Sequence, residues 1–210
     1  MKIRCYILMV LALTLLSFEH KARADSEKSQ ETKIKAAFLY NFIKFVDWPE
    51  EPKADVNKPI TIGIIGSDKF TEAFEPIKGK KIKGRSILVK YFTGYEKLKK
   101  SNDNNNSQWN KRMEALKVCH VLMFCSSDPY PTQNSNQIIK ALEGSPILTI
   151  GESEHFLESG GIINFLKENE KVCFEINNKA AKKSKLDIRS KLLRLAKKVI
   201  GEETPDKTGE

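Results

Sequence analysis

The sequence predicts an α/β fold, a three-layer sandwich with a mostly parallel sheet and an antiparallel hairpin at one edge. Short β-branched and apolar runs alternate with helical patterns through most of the chain, which is typical of a parallel sheet with crossover helices. Near the C-terminus, two such runs are separated only by a polar turn, and this spacing favours a hairpin. The sequence contains no internal repeat, so we expect one domain.

A leader precedes this domain. Two basic residues come before an apolar stretch, Tyr6–Leu16, and the segment Ala22–Ala24 then fits the small-x-small rule of signal peptidase. The apolar stretch is well short of the roughly 20 residues that span a membrane. We therefore expect a cleaved signal peptide over residues 1–24, a single domain over residues 25–200, and a disordered polar tail over residues 201–210.

The first helix of the domain is predicted over residues 31–47. Phe38, Phe42 and Phe45 recur there at the three- and four-residue spacing of a helix face. Trp48-Pro49 ends the helix, because a residue before proline is forced out of the helical region. The other apolar residues expected on the core face are Ile34, Ala37 and Val46.

Turn residues and apolar runs define the elements up to residue 150. We expect strands at Ile60–Ile65, Ile87–Phe92, Val118–Cys125 and Pro146–Ile150, helices at residues 69–78, 109–117 and 133–143, a basic turn at Gly79–Gly84, and a mobile loop at residues 101–107. The run Val118–Cys125 is continuously apolar, which predicts a central strand that is buried on both faces.

The C-terminal part begins with the hairpin, whose predicted strands are Ile162–Leu166 and Val172–Ile176. Residues 178–184 and 187–200 are both predicted to be helical, because apolar residues recur there at helical spacing. The residues expected to face the core in this part are Leu186, Ile188, Leu192, Leu193, Leu195, Ala196 and Val199.

The basic balance of the chain limits the classes of partner. The net charge is +9, and loss of the leader lowers it to +6, because the leader holds four basic residues and one acidic residue. Basic residues cluster at Lys78–Lys83, Lys97–Lys100 and Lys179–Lys185. No cluster is interleaved with aromatic residues and export removes the usual target, so nucleic acid is not expected as a partner. The clusters are interpreted as solvated faces, with attraction to an anionic membrane surface as the alternative.

The sequence lacks the motifs of a catalytic centre. Gly63 and Gly66 do not form the G-x-G-x-x-G of a dinucleotide loop, so they predict only a tight turn after a strand. Cys119 and His120 are neighbours on a predicted strand, where their side chains point to opposite faces and cannot pair as nucleophile and base. His120 is expected to be packed or hydrogen-bonded. We therefore expect no enzyme activity, no cofactor and no metal site.

Three cysteines remain once the leader is removed: Cys119, Cys125 and Cys173. An odd number leaves at least one thiol free or paired between chains. Cys119 and Cys125 are six residues apart on one predicted strand, on the order of 20 Å, which is beyond disulfide reach. We expect three free thiols, with Cys119 buried and Cys173 the most reactive. A Cys125–Cys173 bridge is the alternative.

Two groups of residues are candidates for binding a partner or a ligand. Glu175 and Asn177 lie two apart on one face of the last hairpin strand. Glu175 could hydrogen-bond Arg85 or Arg189 there, which would form either a polar ligand pocket or a structural ion pair. The first helix has an apolar stripe that is wide enough to serve the core and a second surface. The residues expected on or beside that second surface are Tyr40, Asn41, Ile43 and Lys44.

Seven segments of the chain occur in a recognisable order: Lys35–Phe45 with Trp48-Pro49, Ile64–Gly66, Cys119–Leu122, Ile147–Ile150, Gly160–Ile163, Phe174–Asn177 and Ser190–Ala196. No single segment is specific. In this order, behind a leader, they resemble the YfiR family, periplasmic proteins of Gram-negative bacteria. The resemblance covers residues 31–200, which is nearly the entire mature chain.

This resemblance implies an α/β fold and a periplasmic negative regulator. Proteins of the family hold down an inner-membrane diguanylate cyclase by binding its periplasmic sensor domain, which lowers cyclic di-GMP and biofilm formation. The resemblance also favours a homodimer. The family is tied to disulfide-dependent, redox-sensitive stability, but the cysteines here cannot form two internal bridges. A periplasmic module that binds a small ligand is the alternative function, and a hydrolase is a weaker one.

Overall fold

A computed structural model describes residues 27, 29–49, 58–66, 71–93, 105–125 and 131–201. The predicted leader, most of the loop predicted after the first helix, residues 101–104 of the predicted mobile loop and the tail beyond residue 201 lie outside the described residues.

The described elements follow one another with short connections. In chain order they are α1 (residues 29–45), β1 (Val46–Asp47), β2 (Ile60–Gly66), α2 (Thr71–Phe74) with a 3₁₀ turn (Glu75–Ile77), β3 (Lys81–Ile82), β4 (Arg85–Thr93), α3 (Asn105–Lys117), β5 (Val121–Phe124), α4 (Pro131–Ala141), β6 (Leu148–Gly151), β7 (Ile163–Glu168), β8 (Lys171–Asn177), α5 (Asn178–Lys183), β9 (Asp187–Ile188), α6 (Ser190–Leu193) and β10 (Lys198–Ile200).

Eight of the strands form one mixed sheet in the order β10-β8-β7-β6-β5-β2-β4-β3, while β1 and β9 pair separately. Within the sheet, β7–β8 and β3–β4 are antiparallel and the other pairs are parallel. The predicted α/β class, with a mostly parallel sheet and an antiparallel hairpin, is confirmed. The outermost strand beside the hairpin is β10, which covers the outer edge of β8.

The prediction of a helix over residues 187–200 is wrong. This segment contains β9, the four-residue helix α6 and β10, which pairs with β8 from Lys198 opposite Glu175 to Ile200 opposite Asn177. Leu192 is buried, whereas Leu195 is 64% exposed, so the apolar residues do not share one helix face. Pairing with the open edge of β8 satisfies backbone groups, and this long-range requirement overrides the local spacing.

The core face of α1 also differs from the predicted one. Ile34 is 40% exposed and Ala37 is exposed, although both were expected to face the core. The buried residues are Ala36, Leu39, Phe42, Ile43 and Val46. The last four of these fall at positions i, i+3, i+4 and i+7, which is the apolar stripe of a helix that packs on a sheet.

Two further predictions need correction. Helix α3 begins at Asn105, so the loop predicted up to residue 107 is shorter than expected. The basic turn predicted at residues 79–84 contains β3, which pairs with the start of β4. Both changes lengthen the regular structure around the middle of the chain without altering the fold class.

The sheet lies between two apolar layers, as the three-layer prediction requires. Residues of β5 alternate between them: Val121 and Met123 belong to the layer beneath α1, and Leu122 and Phe124 belong to the layer beneath α3 and α4. In the first layer, the ring of Phe42 contacts two rings of the hairpin, those of Phe165 and Phe174, at centroid distances of 5.6 and 4.9 Å. We call the apolar layer beneath α1 the α1 layer, and the apolar layer beneath α3 and α4 the α4 layer.

Gly63 serves packing between strands. It lies inside β2, and a Cβ atom there would be 2.7 Å from Cδ2 of Leu122 and 2.9 Å from Cε2 of Phe92. Side chains of the neighbouring strands therefore fill the space that a larger residue would need. Gly66 ends the strand with a φ of 115°, where a side chain would be strained. Packing between strands thus explains Gly63, and the turn after the strand explains Gly66.

Candidate functional site

Tyr40 lies on the outer flank of α1, half-buried against the α1 layer. Lys44, one turn later, places its Nζ 4.2 Å from the centroid of the tyrosine ring. Lys80, from the loop before β3, approaches the same ring at 5.4 Å. Both distances are within the range of about 6 Å over which a cation is attracted to an aromatic face. The ring is therefore held in position by two cations.

A second aromatic–cation pair lies at the end of the same helix, where Nζ of Lys191 is 5.5 Å from the ring centroid of Phe45. Asn41 lies on the helix between Tyr40 and Phe45, and both Asn41 and Lys44 are exposed. We define the α1 surface as Ile34, Ala37, Tyr40, Asn41, Lys44 and Phe45 together with Lys80 and Lys191. This surface combines accessible apolar side chains with positive charge.

The positive charge of the α1 surface is not neutralised by neighbouring side chains. Within the part of the chain that the structure describes, Lys44, Lys80 and Lys191 have aromatic rings as partners, and none of the three has a carboxylate within ion-pair distance. The surface can therefore attract an anionic group.

Ile43 does not belong to this surface. It is 1% exposed and packs in the α1 layer. Ile43 lies four residues after Leu39 and three before Val46, so it continues the buried stripe rather than the outer one. The expectation that Ile43 accompanies Tyr40 on a second surface is therefore corrected.

Arg189 lies close to the end of α1, where it forms two hydrogen bonds with Asp47. Its Nε donates to Oδ2 at 2.7 Å and its Nη2 donates to Oδ1 at 2.9 Å, and Lys83 pairs with the same carboxylate. The Arg189 hydrogen bonds, with Lys83, lower the pKa of Asp47 to about 2. The backbone N–H of Arg189 also donates to the carbonyl of Phe45. This cluster fastens the C-terminal segment to the end of α1.

The start of α1 is fastened by a less exposed ion pair. Lys35 contacts the carboxylate of Glu152, whose side chain is 4% exposed, and it also pairs with Glu31 at 2.6 Å. Glu152 directly follows β6. The helix is thus tied to the sheet at one end by this pair and at the other end by Asp47 and Arg189.

Arg85 lies elsewhere, at the start of β4. Its Nη2 is 2.8 Å from Nε2 of His120, and its Nε donates to the carbonyl of Lys58 at 2.8 Å. The N–H of Thr61 donates to Nδ1 of His120 at 3.2 Å. The ring of Trp48 meets the imidazole edge-on at a centroid distance of 6.3 Å. His120 is therefore packed and hydrogen-bonded, which confirms its expected structural role.

Asn177 caps helix α5. Its Oδ1 accepts from the N–H of Ala180 at 2.9 Å, and its Nδ2 donates to the carbonyl of Leu157 at 2.9 Å. Both halves of the amide are thus used within the fold. An asparagine at this position satisfies a helix N–H that would otherwise lack a partner. Asn177 sets the position of α5 beside the sheet.

The predicted bond from Glu175 to Arg85 or Arg189 does not form. Arg85 contacts His120 and backbone carbonyls, and Arg189 contacts Asp47. In the sheet, Glu175 lies opposite Asn164 of β7 on one side and opposite Lys198 of β10 on the other. The two arginines come from distant segments, and the sequence does not specify which carboxylate each one meets.

The candidate residues therefore occupy separate places. Tyr40, Asn41 and Lys44 share the α1 surface, and Arg189 lies beside it. Sequence patterns do not indicate Lys80 and Lys191 as members of this surface. The basic cluster around Lys80 was the available signal, but spacing along the chain does not show that this cluster packs against α1.

The three cysteines of the domain are free thiols. Cys119 lies in the α4 layer and Cys125 in the α1 layer, so they face opposite sides of the sheet. Burial raises the pKa of Cys119 to about 11, and its Sγ donates to the carbonyl of Ala115 at 3.7 Å. Cys173 is half-buried on β8 and is not bridged to Cys125.

The described ranges of the chain contain neither a metal cluster nor a helix that could span a membrane. No group of three or more His, Cys, Asp and Glu side chains in them could hold a metal ion. No described helix is both long enough and apolar enough to cross a bilayer.

Comparison with known proteins gives one family and a general fold. The model of the family described as YfiR/HmsC-like matches residues 32–197. No curated protein sequence matches the chain. The fold is similar to that of a conserved domain protein from Vibrio cholerae O1 biovar eltor, with 10% identity, a TM-score of 0.53, and coverage of 80% of this chain and 60% of that one.

A more distant solved structure is the ABC domain in complex with L-Trp from Streptococcus pneumonia. Its identity is 12% and its TM-score is 0.46, with coverage of 67% of this chain and 55% of that one. The chain thus spans less than two thirds of either solved protein. The Vibrio structure supports the fold alone.

Proposed function

The chain belongs to the YfiR/HmsC-like family of periplasmic regulators, and we propose that it represses an inner-membrane diguanylate cyclase by binding its periplasmic sensor domain. The observation that carries this proposal is the family match, which extends over residues 32–197 and therefore over nearly all the described structure. Repression would lower cyclic di-GMP and biofilm formation. The chain itself would act by binding, without catalysis.

The α1 surface is the docking surface that we assign to this function. Tyr40 and Phe45 present ring surface that nearby lysines already hold in place, so little side-chain freedom is lost on binding. Aromatic side chains of this kind often supply much of the binding free energy at protein interfaces. Exposed Ile34 extends the apolar contact along the helix.

The partner surface should be acidic. Lys44, Lys80 and Lys191 carry charge that no described carboxylate balances. Complementary charge speeds association and favours the correct partner over others. An anionic lipid headgroup offers the same charge, and the experiment below separates it from a protein partner.

Co-purification from solubilised membranes tests the proposal. Cells that express the tagged protein are treated with a crosslinker, and the captured membrane proteins are identified. We expect a membrane protein with a periplasmic sensor domain and a diguanylate cyclase domain. Recovery of no such protein, together with binding of the purified chain to phosphatidylglycerol vesicles, would contradict the docking function.

Tyr40→Ala provides the matching variant. Loss of the ring removes docking contact and two cation–π interactions, at a cost to stability of about 1–2 kcal/mol. We expect the variant to fold, as checked by thermal melting, and to lose most of the captured partner. Tyr40→Phe keeps the ring and should retain capture. Full capture by Tyr40→Ala would exclude Tyr40 from the interface.

The resemblance to the family also favours a homodimer, and we include this in the proposal. We expect association between copies to be non-covalent, because Cys119 and Cys125 are buried and cannot reach a second copy. Light scattering on the purified domain tests the dimer, and a monomer mass at micromolar concentration would contradict it.

A further inference from the structure

A groove lies between helices α4 and α5, and its floor belongs to the α4 layer. Its volume is about 500 Å³, which is within the range of roughly 300–1,000 Å³ that ligand pockets occupy. Neither the family match nor the α1 surface accounts for it. Of the residues proposed from the sequence, Asn177 lines it, and its amide oxygen and nitrogen each make a hydrogen bond within the fold.

The floor of the groove is apolar. Ile139, Leu142 and Ile147 line it and belong to the α4 layer, where each side chain is almost completely buried. Thr149 adds one hydroxyl group, whose oxygen accepts the N–H of Ile162 at 3.1 Å. The hydroxyl hydrogen remains available as a donor toward the groove. An occupant would therefore place a hydrocarbon part against this floor.

The rim of the groove is positively charged. Three of its lining residues are lysines, Lys140, Lys179 and Lys183, and one is a carboxylate, Glu143. Lys183 pairs with Glu143 across the groove, and this contact lowers the pKa of the glutamate. The Lys183–Glu143 pair connects α5 to the residues that follow α4. Lys140 and Lys179 remain as positive charges that no described carboxylate pairs with at this rim.

The remaining lysines are suited to bind an anion. In the ranges that the structure describes, Lys140 and Lys179 make no ion pair or hydrogen bond with a carboxylate. They come from the two walls of the groove, one from α4 and one from α5. A single negative group at the mouth would therefore meet cations from both sides, while its apolar part lies on the floor.

We propose that this groove is a binding site for a small amphipathic carboxylate, with its hydrocarbon chain on Ile139, Leu142 and Ile147 and its carboxylate beside Lys140 and Lys179. The site lies in the α4 layer, whereas the proposed docking surface lies on α1. It is independent of the identity of the protein partner, and its test needs only the purified chain.

Isothermal titration calorimetry with sodium octanoate tests the site, and octan-1-ol serves as the uncharged analogue of the same chain length. We expect octanoate to bind with a stoichiometry of one and to raise the melting temperature, because a ligand of the folded state stabilises it. Octan-1-ol should bind more weakly. Absence of octanoate binding at millimolar concentration, or equal binding of octan-1-ol, would overturn the assignment.

Matched variants locate the binding. Lys179→Gln and Lys140→Gln should each weaken octanoate binding by roughly two- to fivefold, the range for one exposed ion pair. Lys182→Gln, on α5 but outside the groove, should bind octanoate as the unmodified chain does. An equal loss in Lys182→Gln would show a general charge effect and overturn the site.

A second pair of variants tests the groove by shape. Asn136→Phe places a ring in the groove from an exposed position of α4 and should block octanoate, whereas Gln137→Phe, the next residue outside the groove, should not. If Asn136→Phe does not fold by circular dichroism, the lysine variants decide. Octanoate binding to a folded Asn136→Phe with unchanged affinity would contradict the proposal.

Discussion

Two ion pairs at opposite ends of α1 differ in what their loss would cost. The Lys35–Glu152 pair is largely withdrawn from water, so removal of Lys35 would take a cation away from a buried carboxylate. The Asp47–Arg189 pair is solvated, with the Asp47 side chain 38% exposed, so water competes for the same interaction. We therefore expect loss of Lys35 to lower the free energy of unfolding more than loss of Arg189 does.

Asp47→Asn should reduce stability in a way that depends on pH. The folded-state pKa of Asp47 is lowered from 3.8 to about 2, so its contribution is present above about pH 4 and is lost as the pH falls toward 2. Solvent screening limits the loss at neutral pH to less than about 1 kcal/mol. Urea unfolding from pH 7 to pH 2 measures it, and Glu114→Gln, on an exposed pair, is the control. A difference that persists unchanged at pH 2 would contradict this account.

The thiols should react in an order set by exposure. Alkylation of the folded domain at pH 8 should modify Cys173 first, because Cys119 and Cys125 are buried and the raised pKa of Cys119 keeps it protonated. Unfolding without a reductant should then allow three alkylations per chain. A single alkylation, with a mass that shows an intact bridge, would demonstrate a disulfide.

Among the helices and strands, sequence patterns predict the ones that depend on residues close together in the chain. The hairpin β7–β8 and the central strands follow from short apolar runs bounded by turn residues, and the structure confirms them. The sequence predicts a helix where the structure has strand β10, because Leu192, Leu195 and Val199 have helical spacing. The identity of β10 depends on the unpaired edge of β8, which no window of sequence around residue 199 contains.

Proline substitutions test the pairing of β10. The N–H of Asn177 on β8 donates to the carbonyl of Ile162, on the β7 side, so the N–H of Ile176 faces β10. Val199 lies opposite Ile176 in a parallel register, in which Ile176 bonds with the two residues that flank Val199. The N–H of Ile200 therefore faces β8, and that of Val199 points away. Ile200→Pro should lower the free energy of unfolding by about 1 kcal/mol more than Val199→Pro. Equal losses in urea unfolding would show that β10 is not paired in this way.

The candidate site was predictable to a lesser extent than the fold. Helical periodicity shows that α1 has more apolar residues than one face needs, and it predicts that Tyr40 lies away from the core stripe, where its role in binding stays a prediction. The same pattern placed Ile43 on the wrong side, because a shift of one residue rotates a position by about 100° around the helix. Lys80 and Lys191 join the surface only through tertiary packing, which spacing does not encode.

For the molecule as a whole, the two proposed binding surfaces lie at different places on the fold. The α1 layer carries the surface that we propose for docking, and the α4 layer carries the groove that we propose for a small carboxylate. The sheet between them is a continuous packed body, in which β5 contributes side chains to both layers. A regulator of this design can present a rigid surface to its partner without a catalytic centre.

We propose that the chain represses a diguanylate cyclase through the α1 surface, and the cellular level of cyclic di-GMP tests this proposal. Deletion of the gene should raise cyclic di-GMP, and the unmodified gene should restore the low level. Lys44→Glu, which reverses a charge on the α1 surface, should fail to restore the low level of cyclic di-GMP. Lys111→Glu, at an exposed position of α3, should restore it. An unchanged level of cyclic di-GMP after deletion would contradict the account.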